Sequence, residues 1–174
     1  MKRDPPKMKA WVCLRENPAD VLARLDASVA NAHVVTSFAG KHFGMPVVMS
    51  NALIANVPVP NLIKIDDVIG HVDVAQELRE MTNPTGTMGF DMMCHLCGLP
   101  PRPELDVIKT WEDRDRRKRI GKRLLIDVAF IALGYARLQY VTNVWTADQT
   151  QTFHDLVIKT IGVKAPALTK LWAA

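Results

Sequence analysis

The residues able to do chemistry in this 174-residue chain fall into a few short stretches. Cys94 and Cys97 flank His95 and Leu96 in "CHLC", the C-x-x-C spacing of metal and redox sites. The order is not C-x-x-C-H, so covalent haem attachment is not indicated. A structural zinc needs four ligands, and Cys13 is the only further thiol. The pair shares a predicted helix face with Phe90 and Met93, which favours two small buried hydrophobes over a redox pair, for which the flanking Trp-Cys-Gly-Pro type context is lacking. "GKHFG" (40–44) has two glycines around Lys41 and His42; its backbone N–H groups and Lys41 could hold a phosphate. A strand-to-helix turn needs the same glycines, and Phe43 reads as buried. "RDRRKRIGKR" (114–123) carries Arg114, Arg116, Arg117, Lys118, Arg119, Lys122 and Arg123 against one acid, Asp115. This is either a solvated helix face or a phosphate-contacting patch. His154 and Asp155 are adjacent, but no spacing pairs them with a nucleophile.

The elements that must position these residues alternate at first. "KAWVCLR" (9–15) reads as a strand. Residues 17–32 read as a helix, with Asn17 as N-cap, Pro18 at the first position, and Val21, Leu22, Leu25 and Val29 at helical spacing. "HVVTSF" (33–38) reads as a buried strand and 45–56 as a helix broken by "VPVPN". Residues 71–81 read as a strand end turning into a helix, with His71 closing the strand and Asp73 capping the helix. "NPTGT" is a turn, and 88–100 contains a short helix stopped by Gly98 and Pro100. A Pro-rich loop follows. A long helix is predicted over 113–144, with a bend near Gly121. The last helix covers 146–161, with Thr146 as its cap.

The length suits one domain over 1–174, with 1–8 as an N-terminal tail. Apolar residues make up 48% and charged residues 23% of the chain, an ordinary globular balance. No apolar run reaches the 18–20 or so residues of a membrane span, so a membrane is not an expected partner. The start has no apolar h-region and is not a secretory signal. Three cysteines make a disulfide framework unexpected and imply an intracellular, reducing compartment, without choosing between cytoplasm and organelle matrix. The net charge of +4 is weak evidence for an anionic partner; the clustering at 114–123 is stronger. The expected fold is α/β: a small sheet with flanking helices and a helical C-terminal half. A sheet of two or three strands is thin, so a partner chain could add strands at an open edge.

Several of these stretches together resemble a family. "SFAGKHFGMP" (37–46) is similar to the "(S/T)-W/F-N-G-x-x-F-D-x-P" segment of 3′–5′ exonucleases related to the proofreading domain of family-B DNA polymerases, in the RNase H-like DEDD superfamily. Ser37, Phe38, Gly40, Phe43 and Pro46 match it. "HVDV" (71–74) falls where that family has "H-x-D-L", and "GFDMMCHLCGLP" (89–100) where it has a helix ending "G-L-P". "RLLIDV" sets Asp127 and Val128 in register with its "Y-C-x-x-D-V" helix. The resemblance spans about 21–138. It implies an incomplete RNase H-like (exonuclease) fold.

Such nucleases cleave phosphodiesters with two divalent ions held by carboxylates. The resemblance implies acids from a D-x-E strand, from the F-D motif, and from the last helix. Here no D-x-E precedes residue 17, so the resemblance implies that the strand carrying one would lie upstream. Gly44 stands at the F-D acid and Ala39 at the motif's Asn. Arg123 stands where a Tyr or His would position water, and its i,i+4 spacing to Asp127 suits an ion pair. Asp127 is the one residual catalytic carboxylate. The expectation is a degenerate, inactive exonuclease-like domain without a metal of its own. It would bind nucleic acid through Lys41, Arg116, Arg117, Arg119, Lys122 and Arg123, or a polymerase-type protein partner. Gly40, Phe43, Gly44 and Asp73 would keep the structural motif. The alternatives are a structural subunit of a larger assembly, and an active Mg²⁺- or Mn²⁺-dependent exonuclease whose missing acids come from another chain.

Overall fold

A computed structural model describes residues 17–82, 85–102 and 117–164. The chain divides into two compact units, 13–96 and 97–174 together with 1–12. The expected strand at 9–15, the tail at 1–8, Cys13, Asn83–Pro84 and the Pro-rich loop beyond Arg102 lie outside the described residues.

The first unit begins with α1 (Pro18–Val29). Asn17 Oδ1 accepts the Ala19 N–H at 3.1 Å, and Pro18 takes a position where no N–H is needed. β1 (Val35–Ser37) follows, then one π-helical turn (Gly40–Gly44) leading directly into α2 (Met45–Ala55). Asn56, at φ 51°, ends α2 in the left-handed region, with its N–H on the Ala52 and Leu53 carbonyls. A second π-turn (Ile65–Ile69) and Gly70, at φ 86°, reverse the chain into β2 (His71–Asp73). Two helices complete the unit, α3 (Val74–Thr82) and α4 (Phe90–Leu96).

β1 and β2 are parallel, with Val35 opposite His71, Thr36 opposite Val72 and Ser37 opposite Asp73. A parallel pair needs a crossover, which α2 and the turns after it supply. Two three-residue strands cannot hold themselves together, so the helices must carry the unit. α1, α2 and the segment after it share a core of Leu22, Val29, Ala52, Val59, Leu62 and Ile65, and α3 and α4 bury Val74, Ala75, Leu78, Met93 and Cys94. The strand expected to be buried at 33–38 is shorter and only half-buried at Val35–Ser37.

The second unit contains α5 (Arg117–Val141) and α6 (Ala147–Lys164) packed on each other. α5 runs unbroken through Gly121 and stops before residue 144, because Asn143 enters the left-handed region at φ 60°. Thr146 caps α6 as expected: its Oγ1 accepts the Gln149 N–H at 3.2 Å, and Gln149 Oε1 accepts the Thr146 N–H at 2.9 Å. This is a full capping box. Trp145 stands edge-on to both Tyr135 and Phe153, at 5.6 and 5.3 Å, and pins the turn between the helices. Lys118–Val141 is long and apolar enough to cross a membrane, against the expectation from run length. About 39% of its apolar window is buried: Ala129, Phe130, Leu133 and Ala136 face inward, whereas Leu124 and Val128 are exposed.

Candidate functional site

The two ends of the sheet converge on the turn at 40–44. Ser37 and Asp73 are opposed in the parallel register, so both deliver their side chains where the strands run out. Asp73 is buried and accepts four backbone N–H groups. Ala75 (3.1 Å) and Gln76 (3.4 Å) lie in the first turn of α3, which makes Asp73 the expected cap. Ala39 (2.9 Å) and Lys41 (3.0 Å) reach it across the sheet from the turn. One carboxylate therefore starts a helix and fixes the loop before α2. Ala39 sits at φ 55°, a strained conformation for a residue with a Cβ, and its bond to Asp73 helps hold it there.

This changes the reading of "GKHFG". Of the N–H groups in this turn, that of Lys41 already faces a carboxylate of the same chain, and those of Phe43 and Gly44 bond the Ala39 carbonyl. A phosphate there would meet Asp73 as a like charge, so phosphate contact at this turn falls to the Lys41 side chain alone. The expectation that Phe43 is buried is also overturned, since it is 71% exposed. The π-helical turn widens the backbone by one residue and carries the ring outward.

A second chain of hydrogen bonds braces the turn. His71 Nε2 lies 2.7 Å from Ser37 Oγ, and His71 Nδ1 lies 3.1 Å from Asp66 Oδ1. A carboxylate only accepts, so Nδ1 is assigned the proton and Nε2 accepts the Ser37 hydroxyl. The connectivity is that of a nucleophile–base–acid triad. The setting is different. Gly40 is buried against the hydroxyl: a Cβ on it would overlap Ser37 Oγ and Cβ and come within 3.1 Å of His71 Nε2. The His71 side chain is 1% exposed, whereas that of Asp66 is 64% exposed. Ser37, His71 and Gly40 thus form a tether under the turn, in keeping with His71 as a structural strand-end residue. The motif match includes Ser37, but nothing in the sequence marks Asp66. It lies in a π-turn whose "IDDVI" gives no periodic signal.

Gly44 is unlike Gly40. Its φ is −62°, and a Cβ there would meet nothing within 4 Å. The position where the resemblance implies an acid has room for a side chain and no conformational need for glycine.

In the second unit, Asp127 Oδ1 accepts from Arg123 Nε at 2.9 Å, the expected i,i+4 pair, with both side chains largely covered. Lys118, Arg119 and Lys122 are exposed on the first turns of α5. None of the three has a carboxylate partner among the described residues. Arg114 and Arg116 lie outside the described residues, and Arg117 enters only as the first helical residue. Among the described residues no group of three or more His, Cys, Asp or Glu could hold a metal ion.

Cys94 is buried, as expected. Cys97 is not on its helix face, because α4 ends at Leu96 and Gly98 turns the chain at φ 67°. A further clamp was missed. Buried Asp26 accepts the Asn61 N–H (2.9 Å), the Asn61 Nδ2 (2.7 Å) and the Leu62 N–H (2.9 Å), tying α1 to the segment after α2. Its only sequence signal is an acid on the apolar stripe of a helix, between Leu22 and Val29.

The chain matches no family model, no curated protein and no solved structure.

Proposed function

We propose that this chain is a nucleic-acid-binding domain of exonuclease-like, RNase H-related architecture, without metal-dependent cleavage of its own. The observation that carries the reading is the cation cluster at the start of α5. Lys118 and Lys122 are one turn apart and Arg119 stands beside them, all exposed and without carboxylates among the described residues. Like charges at i,i+4 destabilise a helix, and cations near its N-terminus oppose the macrodipole, each by some tenths of a kcal/mol. A phosphate backbone reverses both penalties. Support for inactivity comes from the acids: Gly44 supplies none, Asp73 is saturated by four N–H groups, and Asp127 is paired with Arg123.

The test is binding of a labelled single strand of DNA or RNA across a salt series. Affinity should fall steeply with salt, and Lys118→Ala with Lys122→Ala should lower the slope of log K against log[salt] by about one to two. Binding that is absent, or unmoved by salt and by the double variant, rejects the reading. Adding Mg²⁺ or Mn²⁺ should produce no trimming. Trimming that Asp127→Ala abolishes would instead favour an exonuclease completed by another chain.

A second reading, as a structural subunit, is favoured by α2. Only Ser50 and Asn51 are polar in this helix, and Leu53 and Ile54 are 81% and 84% exposed. A helix apolar all round ordinarily has a neighbour on each face. Sedimentation of the purified chain as a concentration-independent monomer would count against this reading.

A further inference from the structure

The second unit contains a cavity of about 220 Å³ at one side of the α5–α6 pair. Leu99, Leu133 and Ala136 give it an apolar floor, and Arg137, Gln151 and His154 bring polar groups to it. Arg137 has no carboxylate partner among the described residues; its guanidinium lies 5.8 Å from the Tyr140 ring centroid. His154 Nδ1 is buried without a hydrogen bond, since the nearby Asp155 Oδ1 is 3.5 Å away and poorly aligned. That nitrogen is covered by the protein itself, so His154 meets the cavity through the rest of its ring. Gln151 Nε2 donates one N–H to Asp155 at 2.8 Å and keeps a second. Thr150 Oγ1 donates to the Thr146 carbonyl at 3.0 Å, so its hydroxyl proton is committed.

The remaining lining thiol adds no negative charge. Burial pushes the Cys97 thiol above its ordinary value, outweighing the lowering effect of Arg137. The lining therefore holds the Arg137 cation and no acid; Asp155, outside the lining, has its Oδ1 2.8 Å from Gln151 Nε2 and 3.5 Å from His154 Nδ1.

We infer that this cavity binds a small organic oxyanion, a carboxylate or phosphate monoester on a short apolar body. Arg137 would take the anion, the second Gln151 N–H would complete its hydrogen bonds, and Leu99, Leu133 and Ala136 would take the body, with the His154 ring beside it. The volume is below the roughly 300–1,000 Å³ of drug-sized sites, which limits the body to about one ring. This site is separate from the cation cluster of the proposed nucleic-acid interface, and the inference does not depend on that reading.

The experiment titrates the full chain with benzoate, phenyl phosphate and the neutral benzyl alcohol, following the His154 ring and Arg137 Nε resonances by NMR. Both anions, or one of them, should bind and shift these resonances; which of the two binds more tightly separates carboxylate from phosphate ligands. Benzyl alcohol should bind at least about tenfold more weakly, given the strength of charge-assisted hydrogen bonds. Arg137→Gln should weaken anion binding by about tenfold or more, and Arg137→Lys should restore part of it. Arg137 is exposed, so the circular dichroism of both variants should be unchanged. Equal binding of benzyl alcohol and the anions, no saturable shift at His154, or unchanged affinity in Arg137→Gln would overturn the inference.

Discussion

At the scale of single residues, Gly40 and Gly44 bracket the same turn and have opposite requirements. Gly40 is packed against Ser37 and His71, so Gly40→Ala must displace Ser37 Oγ or the turn itself. We expect a loss of about 2–3 kcal/mol, within the range for overpacking and for breaking a buried bond, measured by urea denaturation. Gly44→Asp should do the reverse. The site is open, the backbone is already helical, and an acid there faces the N-terminus of α2. A gain of about 0.5–1 kcal/mol is expected from the same measurement. A strongly destabilised Gly44→Asp would show that the space around the turn is occupied. Asp73→Asn replaces one accepting oxygen with an NH₂ group, and either orientation turns donors onto backbone N–H groups. It should cost about 2 kcal/mol or more, and hydrogen exchange should become faster at the Lys41 or Ala39 amide. Unchanged exchange at both amides would contradict the clamp.

At the scale of elements, the helix starts follow from local sequence more closely than the helix ends. α1 starts where Asn17 and Pro18 say it must, and α6 starts at the Thr146 cap. Local chemistry decides these ends, because a cap needs only residues two or three positions apart. The same reasoning gives a test: Thr146→Ala should destabilise the second unit by about 1 kcal/mol, read from the denaturation midpoint. An effect near zero would mean that Trp145, held between Tyr135 and Phe153, fixes the turn without the cap. The far ends were harder. α1 ends at Val29 and α5 at Val141, each three residues before its expected limit. For α5 the cause is the left-handed Asn143, a conformation that Asn tolerates but that its neighbours in sequence do not announce. The π-turns at 40–44 and 65–69 were not legible either, since a one-residue widening leaves no periodic mark.

At the scale of the whole molecule, two compact units carry two different collections of charge. Three acids of the first unit have structural partners: Asp26 and Asp73 serve backbone N–H groups, and Asp66 serves His71. The cations of the second unit at Lys118, Arg119 and Lys122 are without carboxylate partners among the described residues. This division leads to a prediction about activity. Gly44→Asp supplies one carboxylate, while Asp73 and Asp127 stay committed to N–H groups and to Arg123. The variant should therefore show no nuclease activity with Mg²⁺ or Mn²⁺ on a labelled single strand. Metal-dependent trimming by Gly44→Asp would show that the remaining acids are available after all.

By itself the sequence determined the helices, their caps, the strand-to-helix role of Asp73 and the pairing of Arg123 with Asp127. All of these depend on partners a few positions apart, or on the periodic placement of apolar groups. Only the tertiary structure decided what Asp73 does across the sheet, that Ser37, His71 and Asp66 form one chain, that Phe43 faces solvent, and that Cys97 lines a cavity with Arg137 and His154. Those contacts join residues that the chain itself keeps apart, often by more than thirty positions, and hydrogen bonds at such separations leave no spacing rule in the sequence.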